Sequence, residues 1–379
     1  MKLVRARITP YCLPLVHPLE TAHGVFMERR GALLELETDS GLRGCGDACP
    51  FPGFRMETPE ALIPSLEALA QALLGHDPRL RLEARERALE MKPEAPGARF
   101  ALDCALHELV ARAEGISVAE LLAQDLGSEA KGGTSVNALV SGHDAEALRH
   151  DVERASAEGF AELKLKVGAR SWDEDLARVG VVREAAGTDL RLRLDVGGSW
   201  SLEEALGRVD PLAELGVNLL EQPLPALDLE GMVSLREKTR GLGMTLAADE
   251  SIVRPEDAQQ VIDRGAADLL VLKPAALGGL AAAAELARLG GEAGLVCVVT
   301  SMMDSAWGRA AALSLACALP GPRPADGLAT GGLLALDLAP SPEPRGGELM
   351  RAKGAGFGLE NELTPLAQAT SGAVLEVSA

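Results

Sequence analysis

Asp195, Glu221 and Asp249 each stand at the end of a short apolar run, and so do Lys166 and Lys273. The runs are Leu163-Lys164-Leu165-Lys166-Val167, Leu192-Arg193-Leu194-Asp195, Leu219-Leu220-Glu221-Gln222-Pro223, Leu246-Ala247-Ala248-Asp249-Glu250-Ser251 and Leu269-Leu270-Val271-Leu272-Lys273-Pro274. Carboxylates that converge at neutral pH repel one another unless a cation sits among them. Oxygen-only donors select a hard ion, Mg²⁺ first and Mn²⁺ as its alternative. Lys164 and Lys166 lie two apart, so on a strand they share a face, with Lys166 nearer the open end. A lysine near a cation and other lysines has a depressed pKa and can act as a base. One acid alone would more simply cap the helix behind it; three in phase, flanked by lysines, ask for more. The set predicts removal of a proton α to a carboxylate. Asp195, Glu221 and Asp249 hold the metal, Lys166 is the base, Lys273 faces it, and Lys164 supports.

The charged residues recur roughly every 25–30 positions, the length of one strand-plus-helix unit. Amphipathic segments rich in Ala, Leu, Glu and Arg separate the runs. The pattern predicts a parallel β/α barrel with the charges at the C-terminal strand ends, where such barrels keep their active sites. Residues 134–140 read as the first strand, the five runs as strands two to six, and residues 295–300 as the seventh. Residues 325–330 are a short candidate for the eighth. Ahead of the barrel, residues 4–15, 32–38 and 42–45 alternate like antiparallel strands, and helices follow from Thr58 to about residue 122. The segments 19–31 and 50–54 read as loops too apolar for plain linkers, serving either as a lid or as packing against a neighbouring domain. The expected organisation is an α+β cap over 1–130, the barrel over 131–330, and a segment over 331–379 that returns to the cap.

The chain has 379 residues and a net charge of −19, which argues against nucleic-acid binding and suits a small-molecule ligand. No run approaches about 18 apolar residues, so no membrane span is expected. The N-terminus alternates like a strand rather than a signal peptide. Six scattered cysteines read as reduced thiols, which points to the cytoplasm. A homo-oligomer is compatible with all of this.

Lys-x-Lys, then Asp, Glu-Gln-Pro, Ala-Asp-Glu-Ser and Lys-Pro-x-x-x-Gly-Gly, in this order, resemble the enolase superfamily and its muconate-lactonizing-enzyme subgroup. The resemblance implies a modified (β/α)7β TIM-type barrel with an α+β capping domain, and Mg²⁺–enediolate chemistry. It implies the same ligand and lysine roles, with Glu250 beside the third ligand. One departure is Gly197, where the family commonly has Asn. All six histidines precede the second barrel strand, so a histidine base at a late strand is excluded. Dipeptide epimerases of the subgroup carry an Asp-x-Asp pair on the eighth strand; here Gly327 and Ala329 stand there. With Ser301 at the seventh strand tip as a substrate-carboxylate contact, Gly327-Leu328-Ala329-Thr330 and Ala98-Arg99-Phe100-Ala101 resemble o-succinylbenzoate synthases. The implied reaction is syn-dehydration of a cyclohexadiene carboxylate in menaquinone synthesis. Racemisation, epimerisation or cycloisomerisation with the same lysine pair is the alternative.

Overall fold

The computed structural model describes residues 1–21, 24–359 and 363–379. The chain opens with three antiparallel strands, β1 (Leu3–Thr21), β2 (Gly24–Thr38) and β3 (Arg43–Ala48). Four helices follow: α1 (Pro59–Leu73), α2 (Arg81–Met91), α3 (Pro96–Glu114) and α4 (Val118–Leu126). The sheet lies on α3, and glycine makes this close approach workable. A Cβ at Gly46 would come within 1.8 Å of the Ala101 carbonyl, and one at Gly44 within 2.3 Å of the Ala105 carbonyl.

The segment 19–31 corrects the sequence reading. Outside Ala22 and His23, which lie beyond the described residues, it is strand: Leu19, Glu20 and Thr21 pair with Phe26, Val25 and Gly24. Alternation there is obscured by Pro14, Pro18 and a run of charged residues, so the extended hairpin was hidden.

The barrel begins later than the alternation suggested. Residues 134–140 split into β4 (Gly133–Ser135) and β5 (Ala138–Val140), and only β5 joins the parallel sheet. Then come α5 (Ala145–Ala157), β6 (Glu162–Lys166), α6 (Trp172–Ala186), β7 (Arg191–Asp195), α7 (Leu202–Glu214), β8 (Leu219–Glu221) and α8 (Leu229–Gly241). They continue with β9 (Thr245–Ala248), α9 (Pro255–Arg264), β10 (Leu269–Leu272), α10 (Pro274–Leu277), α11 (Leu280–Glu292), β11 (Val296–Val299) and α12 (Ala306–Ala318). The seven strands pair in sequence order, β5 through β11. Instead of a full eighth strand, two residues close the ring. Asp326 bridges Val136 and Gly327 bridges Thr300, both in parallel sense.

Alternation along each barrel strand sends one set of side chains to the helices and the other inward. Leu219, Ala247, Leu269, Val271 and Val298 form a separate apolar cluster of their own. After β11 the chain adds β12 (Glu348–Met350), paired with β4, then α13 (Leu363–Ala369) and β13 (Leu375–Ser378). β13 pairs with β1, so the last strand lies against the N-terminal sheet. Among the described residues no helix is long and apolar enough to cross a membrane.

Candidate active site

Parallel pairing fixes the relative heights of the strand tips. Lys166 lies opposite Asp195, and Asp195 opposite Glu221, in direct register. Asp249 follows β9 by one residue and Lys273 follows β10 by one. Two capping boxes restart the chain behind the first tips: Ser171 with Glu174 opens α6, and Ser201 with Glu204 opens α7. Each satisfies otherwise orphaned helix N–H groups and fixes where its preceding loop must end.

The Lys164 ammonium joins two of the acids, 2.7 Å from Glu221 Oε1 and 2.9 Å from Asp195 Oδ2. Lys166 Nζ stands 4.0 Å from Asp195 Oδ2 and is 65% exposed, at the open end of the strand. Lys273 is buried and pairs with Asp249. Below them Arg193 ties Glu221 Oε2 (3.4 Å) to Glu162, and donates to the Ala325 carbonyl (2.7 Å) of the closing segment. Gln222, with φ at +39°, accepts from the N–H groups of Asp249 (2.8 Å) and Ser251 (3.0 Å), which fixes the loop carrying the third acid.

The charges shift one another. Burial disfavours the Lys164 ammonium, yet Asp195 and Glu221 hold it well above the ordinary lysine value. Burial alone would raise the Asp195 carboxyl, but Lys164 and Lys166 beside it hold it low. Lys273 is pushed down to about 7 by burial, with Lys164 and Lys166 adding to the effect and Glu221 and Asp195 opposing it. Burial, then the negative charge of Asp195 and Glu221, pushes Glu250 up to about 7.

Among the described residues no three acids, histidines or cysteines stand as a cluster ready to hold an ion. Asp195 and Glu221 converge on one positive charge, whereas Asp249 is turned to Lys273. The three acids are expected to converge around a bound cation; the positive charges they meet here are those of Lys164 and Lys273. The donor set still fits a hard dication. Its members are oxygens at neighbouring strand ends, and the half-buried Glu250 adds a buried oxygen, Oε2, with no hydrogen-bond partner.

The closing segment also differs in detail from expectation. The Gly327 N–H donates to the Val299 carbonyl (2.9 Å) and is not free for a ligand. Ser301 Oγ lies 2.7 Å from Thr330 Oγ1, so a second hydroxyl accompanies it at the seventh tip, near Ala329. Asp326, the acid of this stretch, is fully buried and committed elsewhere. It accepts from the Val299 N–H (2.8 Å), Thr134 (2.6 Å) and Arg323 (2.7 Å).

The segment 50–54 lies over the site. Lys273 Nζ sits 4.7 Å from the Phe54 ring centroid, and Phe54, Phe51 and Phe26 form an aromatic chain. Buried Arg29 holds this cover down. It donates to the Cys49 (2.8 Å), Pro50 (3.2 Å) and Met303 (3.4 Å) carbonyls, and its guanidinium lies over Phe51. Sequence reasoning did not single out Arg193, Gln222, Phe54 or Arg29. Arg193 was within reach, since it lies two residues before Asp195 on the same strand face. Arg29 was not, because its partners are backbone carbonyls distant in the chain.

Residues 4–123 match the mandelate racemase / muconate lactonizing enzyme N-terminal domain, and residues 147–363 the enolase C-terminal domain-like family. A hydrophobic dipeptide epimerase of Enterococcus faecalis is 30% identical over 88% of this chain and 92% of its own length. An o-succinylbenzoate synthase of Thermobifida fusca is 40% identical over 49% of this chain and 57% of its own length. The crystal structure of the Enterococcus faecalis dipeptide epimerase complexed with Mg and the dipeptide L-Leu-L-Tyr superposes with a TM-score of 0.88. It is 26% identical and covers 95% of this chain and 100% of that one.

Proposed function

This chain belongs to the enolase superfamily, and from that premise we propose that it is a metal-dependent lyase whose product is o-succinylbenzoate. Its substrate is a small cyclohexadiene carboxylate bearing a hydroxyl β to the acid. Lys166, at the open strand end, removes the proton α to the carboxylate. The same group, now an ammonium, gives that proton to the departing hydroxide on the same face, so that water leaves and the ring becomes aromatic. Lys273 faces the developing negative charge from the other side, where a buried cation acts strongly. Lys164 holds Asp195 and Glu221 together. A divalent cation on Asp195, Glu221 and Asp249, Mg²⁺ or Mn²⁺, supplies charge stabilisation for the enediolate when bound. Ser301 and Ala329 take the substrate's second carboxylate, with Gly327, whose N–H is spent on Val299, leaving room beside them.

One observation carries this reading over dipeptide epimerisation. The closing segment offers no carboxylate to a substrate ammonium, because Asp326 is spent on Arg323, Thr134 and the Val299 N–H. A second reading, racemisation of N-acyl amino acids, is supported by two lysines flanking the acids, since proton transfer on both faces needs two bases. The experiment is a parallel assay of the cyclohexadiene carboxylate, N-succinyl amino acids and dipeptides, with Mg²⁺ and with EDTA. The dehydratase reading expects an ultraviolet change on the first substrate alone, abolished by EDTA. Solvent deuterium entering N-succinyl amino acids at the higher kcat/KM would replace it with the racemase.

A further inference from the structure

A cavity of about 390 Å³ opens where α2 and α3 meet the start of α9 and the turn between α10 and α11. It shares none of the lysines or acids of the candidate active site. Its apolar lining includes Leu102, Leu106 and Leu277, all at least nine-tenths buried. Three arginines also line it: Arg85, Arg99 and Arg254. Arg254 is engaged with Asp257 at 3.4 Å. The other two have no ion pair or hydrogen bond among the described residues, and Arg99 Nε is buried with no acceptor.

Three acids share the lining, Asp103, Glu256 and Asp257, and Glu57 and Glu256 attract Arg99 through space, but none of them makes a hydrogen bond or ion pair with Arg85 or Arg99 among the described residues. Asp103 accepts from the Ala281 N–H (3.1 Å) and faces the His107 ring at 3.4 Å. Asp257 belongs to Arg254, and Glu256 is exposed. The Arg99 guanidinium instead lies against Gly278, where a Cβ would come within 2.8 Å of it. Arg85 and Arg99 line the same cavity, burial disfavours the Arg99 charge, and its buried Nε still lacks an acceptor. Such a pair is conspicuous in a chain of net charge −19.

We infer that this cavity binds a small amphipathic carboxylate, its head between Arg85 and Arg99 and its apolar body on Leu102, Leu106 and Leu277. The planar guanidinium fork matches a carboxylate. The volume suits on the order of a dozen non-hydrogen atoms, at about 30 Å³ each as in liquid water. The assignment does not depend on the reaction proposed above.

Calorimetric titration of the full chain with octanoate, octylamine and inorganic phosphate tests it. Octanoate binds, octylamine does not, and phosphate binds at least tenfold more weakly than octanoate. Arg85→Gln, at a half-exposed position that keeps the fold, weakens octanoate at least tenfold; Arg99→Gln does the same. Lys166→Met leaves octanoate binding unchanged, which separates this cavity from the barrel mouth. The inference fails if octanoate gives no heat, if the amine binds as well as the acid, or if both arginine variants retain parental affinity.

Discussion

Among single residues, Lys166 and Lys164 are close in sequence and far apart in consequence. Lys166 is mostly exposed and has one carboxylate at 4.0 Å, so its removal frees no buried charge. Lys166→Met should lower kcat by about 10²–10⁴, the range of a lost general base, with the melting temperature unchanged. Lys164→Met should instead unfold the protein more easily, by about 3–5 kcal/mol in a denaturant titration, because buried Asp195 and Glu221 lose their common partner. Equal melting temperatures for the two variants would contradict this division. Asp47 gives a pH signature. It accepts from Tyr11 and from the Ser305 N–H, and burial and then Asp304 push it up to about 7. Its ordinary value is 3.8, so the native state holds an extra proton between about pH 4 and pH 7. Stability from this group is present below that window and is lost as pH rises through it. Denaturation midpoints of Asp47→Asn should therefore gain on the parent between pH 5 and pH 8, by at least about 1 kcal/mol. A constant difference across that range would refute the assignment.

Elements show which parts of the fold the sequence could announce. The five apolar runs became β6 to β10 because each is a short apolar stretch largely buried on both faces and followed by a helix, although β7 and β8 hold no β-branched residue. The strand-end placement of the candidate lysines and acids was legible for the same reason. The closing segment was not legible as a two-residue bridge. What holds it is Arg193 donating to the Ala325 carbonyl and Asp326 accepting from Val299, contacts that neither propensity nor period records. The direction of Asp249 was likewise hidden, since rotamers follow the neighbouring charge on Lys273 rather than local sequence. Strand β3 shows a third case, Arg43-Gly44-Cys45-Gly46, where glycine marks close approach to α3 and not a turn. Gly46→Ala should cost at least about 1–3 kcal/mol through overpacking. Gly207→Ala, in an exposed and open position within α7, should add about 0.5–1 kcal/mol. Chemical denaturation of both variants checks the pair, and equal effects would remove the packing argument.

Across the whole molecule, cap and barrel share one continuous apolar core, and directed contacts around the site add to it. Asp47 of β3 accepts from Ser305 at the start of α12, and Arg29 of β2 reaches the loop after β11 at Met303. Arg29→Gln removes the charge that gathers three carbonyls. We expect KM to rise severalfold more than kcat falls, because the cover is displaced while the lysines and acids are left in place. A proportionate fall in kcat with unchanged KM would assign Arg29 to the chemistry instead. The Phe54 ring stacked over Lys273 has a consequence of another kind. Anything that reaches that amine must first push an aromatic wall aside, and anything that leaves must push it again. Catalytic throughput should then slow in proportion to the thickness of the medium when glycerol or sucrose is added, and trimming the ring to alanine should make the enzyme indifferent to syrup.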